Sequence, residues 1–211
     1  MSDRFWIKRY DDAQRLNHWF VVICFFLAGL SGLAIFHPAL FFLSNFFGGG
    51  QWTRILHPFF GLTMVLGFLG MAVHFWGENH FNKADGQWMK QLKDVVTNRE
   101  ENLPPVGRYN AGQKAVFWLM VICLAVLFVT GFMFWEPWFA PYVPVTLRRI
   151  AVLLHAATAT VLIIGVIVHA YAAIWVKGSI GAMTRGYVSD RWARKHHAAW
   201  YREVVSKEQQ P

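Results

Sequence analysis

Four long apolar segments constrain this chain more than any other feature of its sequence. They cover residues 15–36, 55–76, 115–135 and 150–176. Each is about 20 residues or longer, which as an α-helix is enough to cross a hydrocarbon core about 30 Å thick. Backbone groups in lipid must be hydrogen-bonded internally, and these segments lack the alternation of a transmembrane β-strand. The sequence therefore predicts an all-α membrane protein, a four-transmembrane-helix bundle in which residues 1–211 form one domain with a hydrophilic tail at 177–211.

The distribution of charge predicts how the chain is oriented. The net charge is +8, but the loops at 37–53 and 136–147 contain no Lys or Arg, while the N-terminal segment, the loop between the second and third helices and the tail are basic. Under the positive-inside rule, both termini and the central loop are cytoplasmic. Topology and contact with membrane lipids explain the basic excess, so no nucleic-acid partner is predicted.

Four histidines, His18, His57, His155 and His169, lie within these apolar segments. Ionisable residues inside a membrane are costly, which makes them functional candidates by default. His155 and His169 are fourteen residues apart, hence ~21 Å along one helix and within ~40° of the same face. A metal ion holds its imidazole ligands at about 2 Å, so these two histidines cannot share one. Each requires its own partner.

The predicted topology supplies those partners by matching depth. The fourth helix runs from outside to inside, which puts His155 in the outer layer and His169 in the inner layer. The second helix starts outside and the first starts inside, so His57 falls in the outer layer and His18 in the inner layer. A single buried histidine is usually a hydrogen-bonded core residue, but two depth-matched pairs on facing helices suit axial ligation of haem iron. His74 is predicted to meet headgroups or water instead. His196 and His197 are predicted to lie on the surface of the tail, and no internal repeat is apparent.

Three motifs and one tail segment stand out along the chain, namely RILHPF at 54–59, RYNAGQK at 108–114, WVKGSI at 175–180 and WARKHH at 192–197. Together they resemble the cytochrome b (gamma) subunit of membrane-bound respiratory formate dehydrogenase. The resemblance covers nearly the whole chain. It departs at Ala198 and Ala199, where the family tends to have Pro-Arg, and this concerns the tail rather than the histidines.

The resemblance implies a protein with two haem b groups, an outer one on His57 and His155 and an inner one on His18 and His169. It also implies a cytoplasmic quinone site, for menaquinone or ubiquinone, that involves Asn110, Gly112, Gln113 and His169. The implied partners are an iron–sulfur beta subunit and, through it, a molybdopterin-type catalytic alpha subunit, in a possible trimer of heterotrimers. The partner oxidises formate, and this chain carries the reduction of quinone during anaerobic respiration.

Two alternatives remain at this point. The chain could be the cytochrome b subunit of a membrane-bound hydrogenase or of another periplasmic oxidoreductase, with the same chemistry and a different electron donor. It could also be a non-redox membrane anchor or transporter whose histidines relay protons. Two low-spin b haems in a visible spectrum distinguish the first class from the second, and formate-dependent reduction identifies the donor.

Overall fold

Four long helices dominate the fold, as predicted. The computed structural model describes residues 6–97, 99 and 102–208, and the residues at 209–211 of the predicted tail lie outside that part. Within it, four helices are long and apolar enough to cross a membrane, which identifies a multi-pass membrane protein. The elements are β1 Trp6–Lys8, α1 Asp12–Phe36, a 3₁₀ helix Pro38–Phe47, α2 Gly50–Phe75, a 3₁₀ turn Gly77–Asn79, α3 Lys83–Lys90, α4 Leu92–Val96, α5 Ala111–Met133, a 3₁₀ turn Ala140–Tyr142, α6 Val145–Trp175, α7 Ser179–Arg185, β2 Tyr187–Ser189, α8 Asp190–His196 and α9 Ala198–Glu208.

The long helices end close to the predicted positions but begin three to five residues earlier. Apolar composition marks the lipid-exposed part of a helix, whereas the first turn can be polar when its free N–H groups are capped. α1 is capped in this way. The Asp11 and Gln14 side chains each accept a hydrogen bond from the other residue's backbone N–H, at 2.8 and 3.0 Å respectively.

The chain divides into two compact units. The apolar unit consists of residues 16–73 and 119–168, and the polar unit consists of residues 1–15, 74–118 and 169–211. The polar unit contains a two-stranded antiparallel sheet in which Ile7 of β1 faces Val188 of β2. This sheet departs from the all-α prediction, because strands of three residues from distant parts of the chain leave no periodic signal in the sequence.

Two arginines hold the polar unit together. Arg9 donates from Nη2 to the backbone oxygen of Arg108 at 2.5 Å, and Arg108 donates to that of Arg9 at 2.6 Å. Arg108 also pairs with Glu78 at 2.9 Å. His197 lies against Arg9 and is only 1% exposed, so the prediction that it lies on the surface is wrong.

The protonation of His197 follows from its two neighbours. Its Nδ1 is 2.8 Å from the carbonyl of Gly107, which can only accept, and its Nε2 is 3.4 Å from the Arg9 guanidinium, which can only donate. Nδ1 must therefore carry a proton and Nε2 must not, so the two contacts together require a neutral imidazole. Burial and the charge of Arg9 accordingly lower the pKa of His197 from 6.5 to about 3.

We expect the polar unit to lose stability on acidification through this residue. Because the pKa of His197 is lower in the folded chain, its contribution is present in full above pH 6.5 and is lost progressively towards pH 3. The loss amounts to about 1.4 kcal/mol per pH unit at most. His197→Gln keeps a donor and an acceptor and cannot titrate. The variant should therefore show a smaller fall in thermal midpoint between pH 7 and pH 5 than the wild type, with His196→Gln as the control. Equal falls in the thermal midpoint of the wild type and of His197→Gln would contradict the assignment of this pH dependence to His197.

Candidate functional site

His57 of α2 and His155 of α6 lie together within the apolar unit. Their ring centroids are 6.3 Å apart, and the ring planes are inclined by 74°. Both side chains are half-buried. The depth argument from the sequence paired these two residues, and the structure brings them together.

In each of the two imidazoles, Nδ1 contacts the hydroxyl group of a neighbouring helix. Ser31 Oγ of α1 lies 2.9 Å from His57 Nδ1, and Thr130 Oγ1 of α5 lies 2.9 Å from His155 Nδ1. Both hydroxyl residues are buried, at 0% and 4% exposure. Since Nδ1 is engaged in both rings, Nε2 is the nitrogen that each ring can offer to a metal ion.

A glycine follows each hydroxyl residue and faces the same imidazole. A Cβ atom added at Gly32 would lie 3.0 Å from His57 Cε1, and one added at Gly131 would lie 3.4 Å from His155 Cε1. The first distance is tighter than most real Cβ contacts, whereas the second is an ordinary van der Waals contact. Glycine therefore allows the backbone of α1 to approach the His57 ring closely, and Gly131 occupies the matching position on α5 without the same steric requirement.

These correspondences form an internal repeat, so the expectation of none is wrong. α1 matches α5 at an offset of 99 residues, which superposes Ser31-Gly32 on Thr130-Gly131, and His57 matches His155 at 98. The contacts repeat as well. A Cβ at Gly67 would meet Phe20 at 3.0 Å, and one at the matching Gly165 would meet Leu119, the counterpart of Phe20, at 2.6 Å. Further matched pairs are Asp11/Asn110, Gln14/Gln113, Trp19/Trp118, Val22/Val121, Ile23/Ile122 and the buried thiols Cys24/Cys123.

The geometry of the histidine pair fits a haem iron. Two imidazoles on opposite sides of one metal ion, each bound at about 2 Å, have ring centroids roughly 6 Å apart. The observed separation is 6.3 Å. Among the described residues no three His, Cys, Asp or Glu side chains are grouped to hold a metal ion. A haem supplies its own equatorial nitrogens, so two histidines are enough to hold its iron.

The other two predicted ligands belong to different units. His18 lies in the apolar unit, half-buried, with its ring edge-to-face with Trp19 at 5.5 Å. His169 lies in the part of α6 that belongs to the polar unit. Their pairing stays a prediction.

Neither His18 nor His169 has a counterpart in the repeat, since Phe117 matches His18 and Met71 matches His169. His74, which was not predicted as a ligand, is 2.6 Å from Gln14 Nε2.

Two residues of the predicted quinone site, Asn110 and Gln113, cap the start of α5. The Asn110 and Gln113 side-chain oxygens each accept a hydrogen bond from the other residue's backbone N–H, both at 3.0 Å. Gly112 packs against Trp88, whose ring would lie 3.1 Å from a Cβ at that position. Asn110 and Gln113 therefore have a structural role as a helix cap, and Gly112 has one in packing. His169 lies in the same unit.

Comparison with known proteins gives a consistent assignment. The family described as prokaryotic cytochrome b561 matches residues 9–186. The cytochrome b556(fdo) subunit of formate dehydrogenase from Escherichia coli K12 is 44% identical over 204 residues, covering 97% of this chain and 96% of the relative. The nitrate-inducible cytochrome b556(Fdn) subunit of the same strain is 45% identical and covers 99% and 96%. The cytochrome b556 subunit of formate dehydrogenase from Haemophilus influenzae is 41% identical and covers 94% and 84%. The resemblance found in the sequence is confirmed.

Proposed function

We propose that this chain serves a respiratory formate dehydrogenase. It belongs to the prokaryotic cytochrome b561 family and is a membrane cytochrome b electron-transfer subunit. In this proposal an iron–sulfur subunit and a molybdopterin-type catalytic subunit oxidise formate in the periplasm. The chain anchors them to the inner membrane and passes the electrons to quinone at the cytoplasmic side, in a complex that forms a trimer of heterotrimers. The near full-length similarity to the named formate dehydrogenase subunits supports this.

The His57–His155 pair carries the proposal. Each imidazole is held through Nδ1 and can offer Nε2 at a ring separation that fits one iron. Two haem b groups, when bound, would supply reversible one-electron iron couples. We assign the outer group to His57 and His155 and the inner group to His18 and His169, the second pair resting on helix depth alone.

The orientation rests on charge. The basic residues cluster outside the apolar segments and avoid the loops at 37–53 and 136–147, which the positive-inside rule assigns to the periplasm. In this orientation the proposed quinone site faces the cytoplasm, which supplies the protons that quinone takes up on reduction. Because formate oxidation and quinone reduction fall on opposite sides, each turnover moves negative charge inward and contributes to a proton-motive force.

The proposed quinone contacts use the part of each amide that helix capping leaves available. Capping occupies the side-chain oxygens of Asn110 and Gln113. The Nδ2 and Nε2 groups are hydrogen-bond donors, which is what a quinone carbonyl requires. Asn110 is half-buried and Gln113 is exposed, so both can be reached from outside the protein.

We expect Asn110→Asp and Gln113→Glu to lower quinone reduction without unfolding the helix. Each carboxylate can still accept the capping hydrogen bond but no longer offers an amide donor. Loss of one such hydrogen bond should lower the apparent quinone affinity by about tenfold. The measurement is formate:quinone activity as a function of quinone concentration. Formate-dependent haem reduction, recorded in the same samples, should be unchanged.

The matched control comes from the repeat. Gln14→Glu makes the same change in the capping box of α1, where no quinone is proposed, and should leave quinone affinity at the wild-type value. If Asn110→Asp and Gln113→Glu also retain wild-type affinity, the quinone site lies elsewhere.

The proposal as a whole is tested by purifying the chain from its native membrane. We expect two low-spin b haems per chain, co-purification with a molybdopterin subunit, and haem reduction on addition of formate. Reduction by hydrogen and not by formate would assign the chain to a hydrogenase. Absence of haem would favour the anchor or transporter class.

A further inference from the structure

Ser31 and Thr130 are buried hydroxyl groups in otherwise apolar helices, and their hydrogen bonds are matched atom by atom. Ser31 Oγ is 2.6 Å from the carbonyl oxygen of Leu27, and Thr130 Oγ1 is 2.6 Å from that of Val126. Each residue thus makes the usual bond of a helical hydroxyl to the preceding turn. That bond alone satisfies the buried O–H group. The need to pair a buried donor therefore does not explain why each hydroxyl group also contacts a histidine.

Counting protons determines the direction of that second contact. A hydroxyl has one hydrogen and a carbonyl oxygen can only accept, so the hydrogen of each hydroxyl is donated to the helix carbonyl. The hydroxyl oxygen is then the acceptor toward the imidazole, and Nδ1 of His57 and of His155 must carry its proton. This fixes the tautomer in which Nε2 has the free lone pair that an iron ligand needs.

We propose that Ser31 and Thr130 are a matched pair of positioning residues that orient the two axial ligands of the outer haem and tune its redox potential. This rests on the function proposed above. A metal-bound histidine usually donates its other N–H to an acceptor, which fixes the ring orientation and increases its basicity as a ligand. A hydroxyl that donates to a carbonyl is polarised and becomes a better acceptor. Electron density passed to the ligands stabilises the ferric state and lowers the potential.

The internal repeat predicts how the effects of Ser31 and Thr130 compare with each other. The hydroxyl-to-carbonyl distance is 2.6 Å and the hydroxyl-to-Nδ1 distance is 2.9 Å in both halves. The two residues should therefore make similar contributions. Ser31 and Thr130 contact the two proposed ligands of the outer haem, so the inner haem should not respond to either residue.

The experiment uses the purified full-length chain in its complex, with haem content, redox titration and low-spin electron paramagnetic resonance as readouts. The outer haem is identified as the one that His57→Ala removes. We expect Ser31→Ala and Thr130→Ala each to raise the outer haem potential, shift its g-values and weaken haem binding roughly 10–100-fold. Ser31→Thr and Thr130→Ser keep the acceptor and should restore the wild-type values. If an alanine variant does not assemble, Ser31→Cys provides a group of similar size and poor acceptor strength.

Thr160→Ala is the matched control. Thr160 lies on α6, as His155 does, and donates to the carbonyl of Ala156 at 2.9 Å. Its replacement should change neither haem. The proposal is overturned if Ser31→Ala retains the outer haem at its wild-type potential, if Thr160→Ala gives the same shift, or if both haems shift together. A wild-type chain without two haems would instead contradict the proposed function on which this inference rests.

Discussion

Replacing His57 with alanine is expected to leave a chain that binds one haem b instead of two. The proposed outer site uses two protein ligands, His57 and His155, so removing one would leave His155 as its single ligand. Loss of a residue that only supports a ligand already costs roughly 10–100-fold in metal affinity, so loss of the ligand itself should cost more. Haem content by pyridine haemochrome assay and the number of low-spin signals measure the effect. Formate-dependent quinone reduction should fall by more than about 100-fold, since in the proposed route electrons enter through the outer haem.

His74→Gln is the matched control, because His74 lies on the same helix, α2, and its ring contacts Gln14 instead of a second histidine. This variant should retain both haems. If His57→Ala loses both haems equally, the pairing with His155 loses its support. A loss confined to one signal, with the other unchanged, supports two separate sites.

The sequence predicted the parts of this site that depend on long-range regularities. The spans follow from hydropathy, and the pairing of His57 with His155 follows from two facts, namely that a helix rises 1.5 Å per residue and that basic loops are cytoplasmic. These arguments need no knowledge of side-chain packing. They place each histidine at a depth, and helices that span one membrane bring equal depths together.

The residues that the sequence did not predict act through contacts that hydropathy does not register. Ser31 and Thr130 look like small packing residues in apolar helices. Two features distinguish them in the sequence: each is followed by a glycine, and each precedes its histidine by a similar spacing, 26 residues for Ser31 and His57 and 25 for Thr130 and His155. The divergence of the two halves obscures this repeat. His197 reads as a surface residue in a charged tail, yet it is buried because Gly107 and Arg9 lie on either side of it.

A buried ion pair beside the proposed quinone site gives the second large effect. Lys114 follows Gln113 in the first turn of α5, and its Nζ is 2.7 Å from Asp85 Oδ2 and 3.0 Å from the carbonyl oxygen of His80. Lys114 is 4% exposed and Asp85 is 2% exposed. Asp85 also accepts from the backbone N–H of Asn82 at 2.8 Å, within the capping box of α3. One lysine thereby joins the start of α5 to the start of α3.

Lys114→Met should lower the stability of the polar unit by about 3–5 kcal/mol, because it leaves the Asp85 carboxylate buried without its counter-ion. The thermal midpoint of the purified complex should fall on the order of 10 °C. Lys90→Met, which removes an exposed lysine from the same unit, should have little effect. Adding Asp85→Asn to Lys114→Met removes the uncompensated charge, so the double variant should be more stable than the sum of the single losses predicts. Strictly additive losses would mean that the two groups do not interact. Unchanged quinone affinity in Lys114→Met would show that the capping box positions Asn110 and Gln113 without the ion pair.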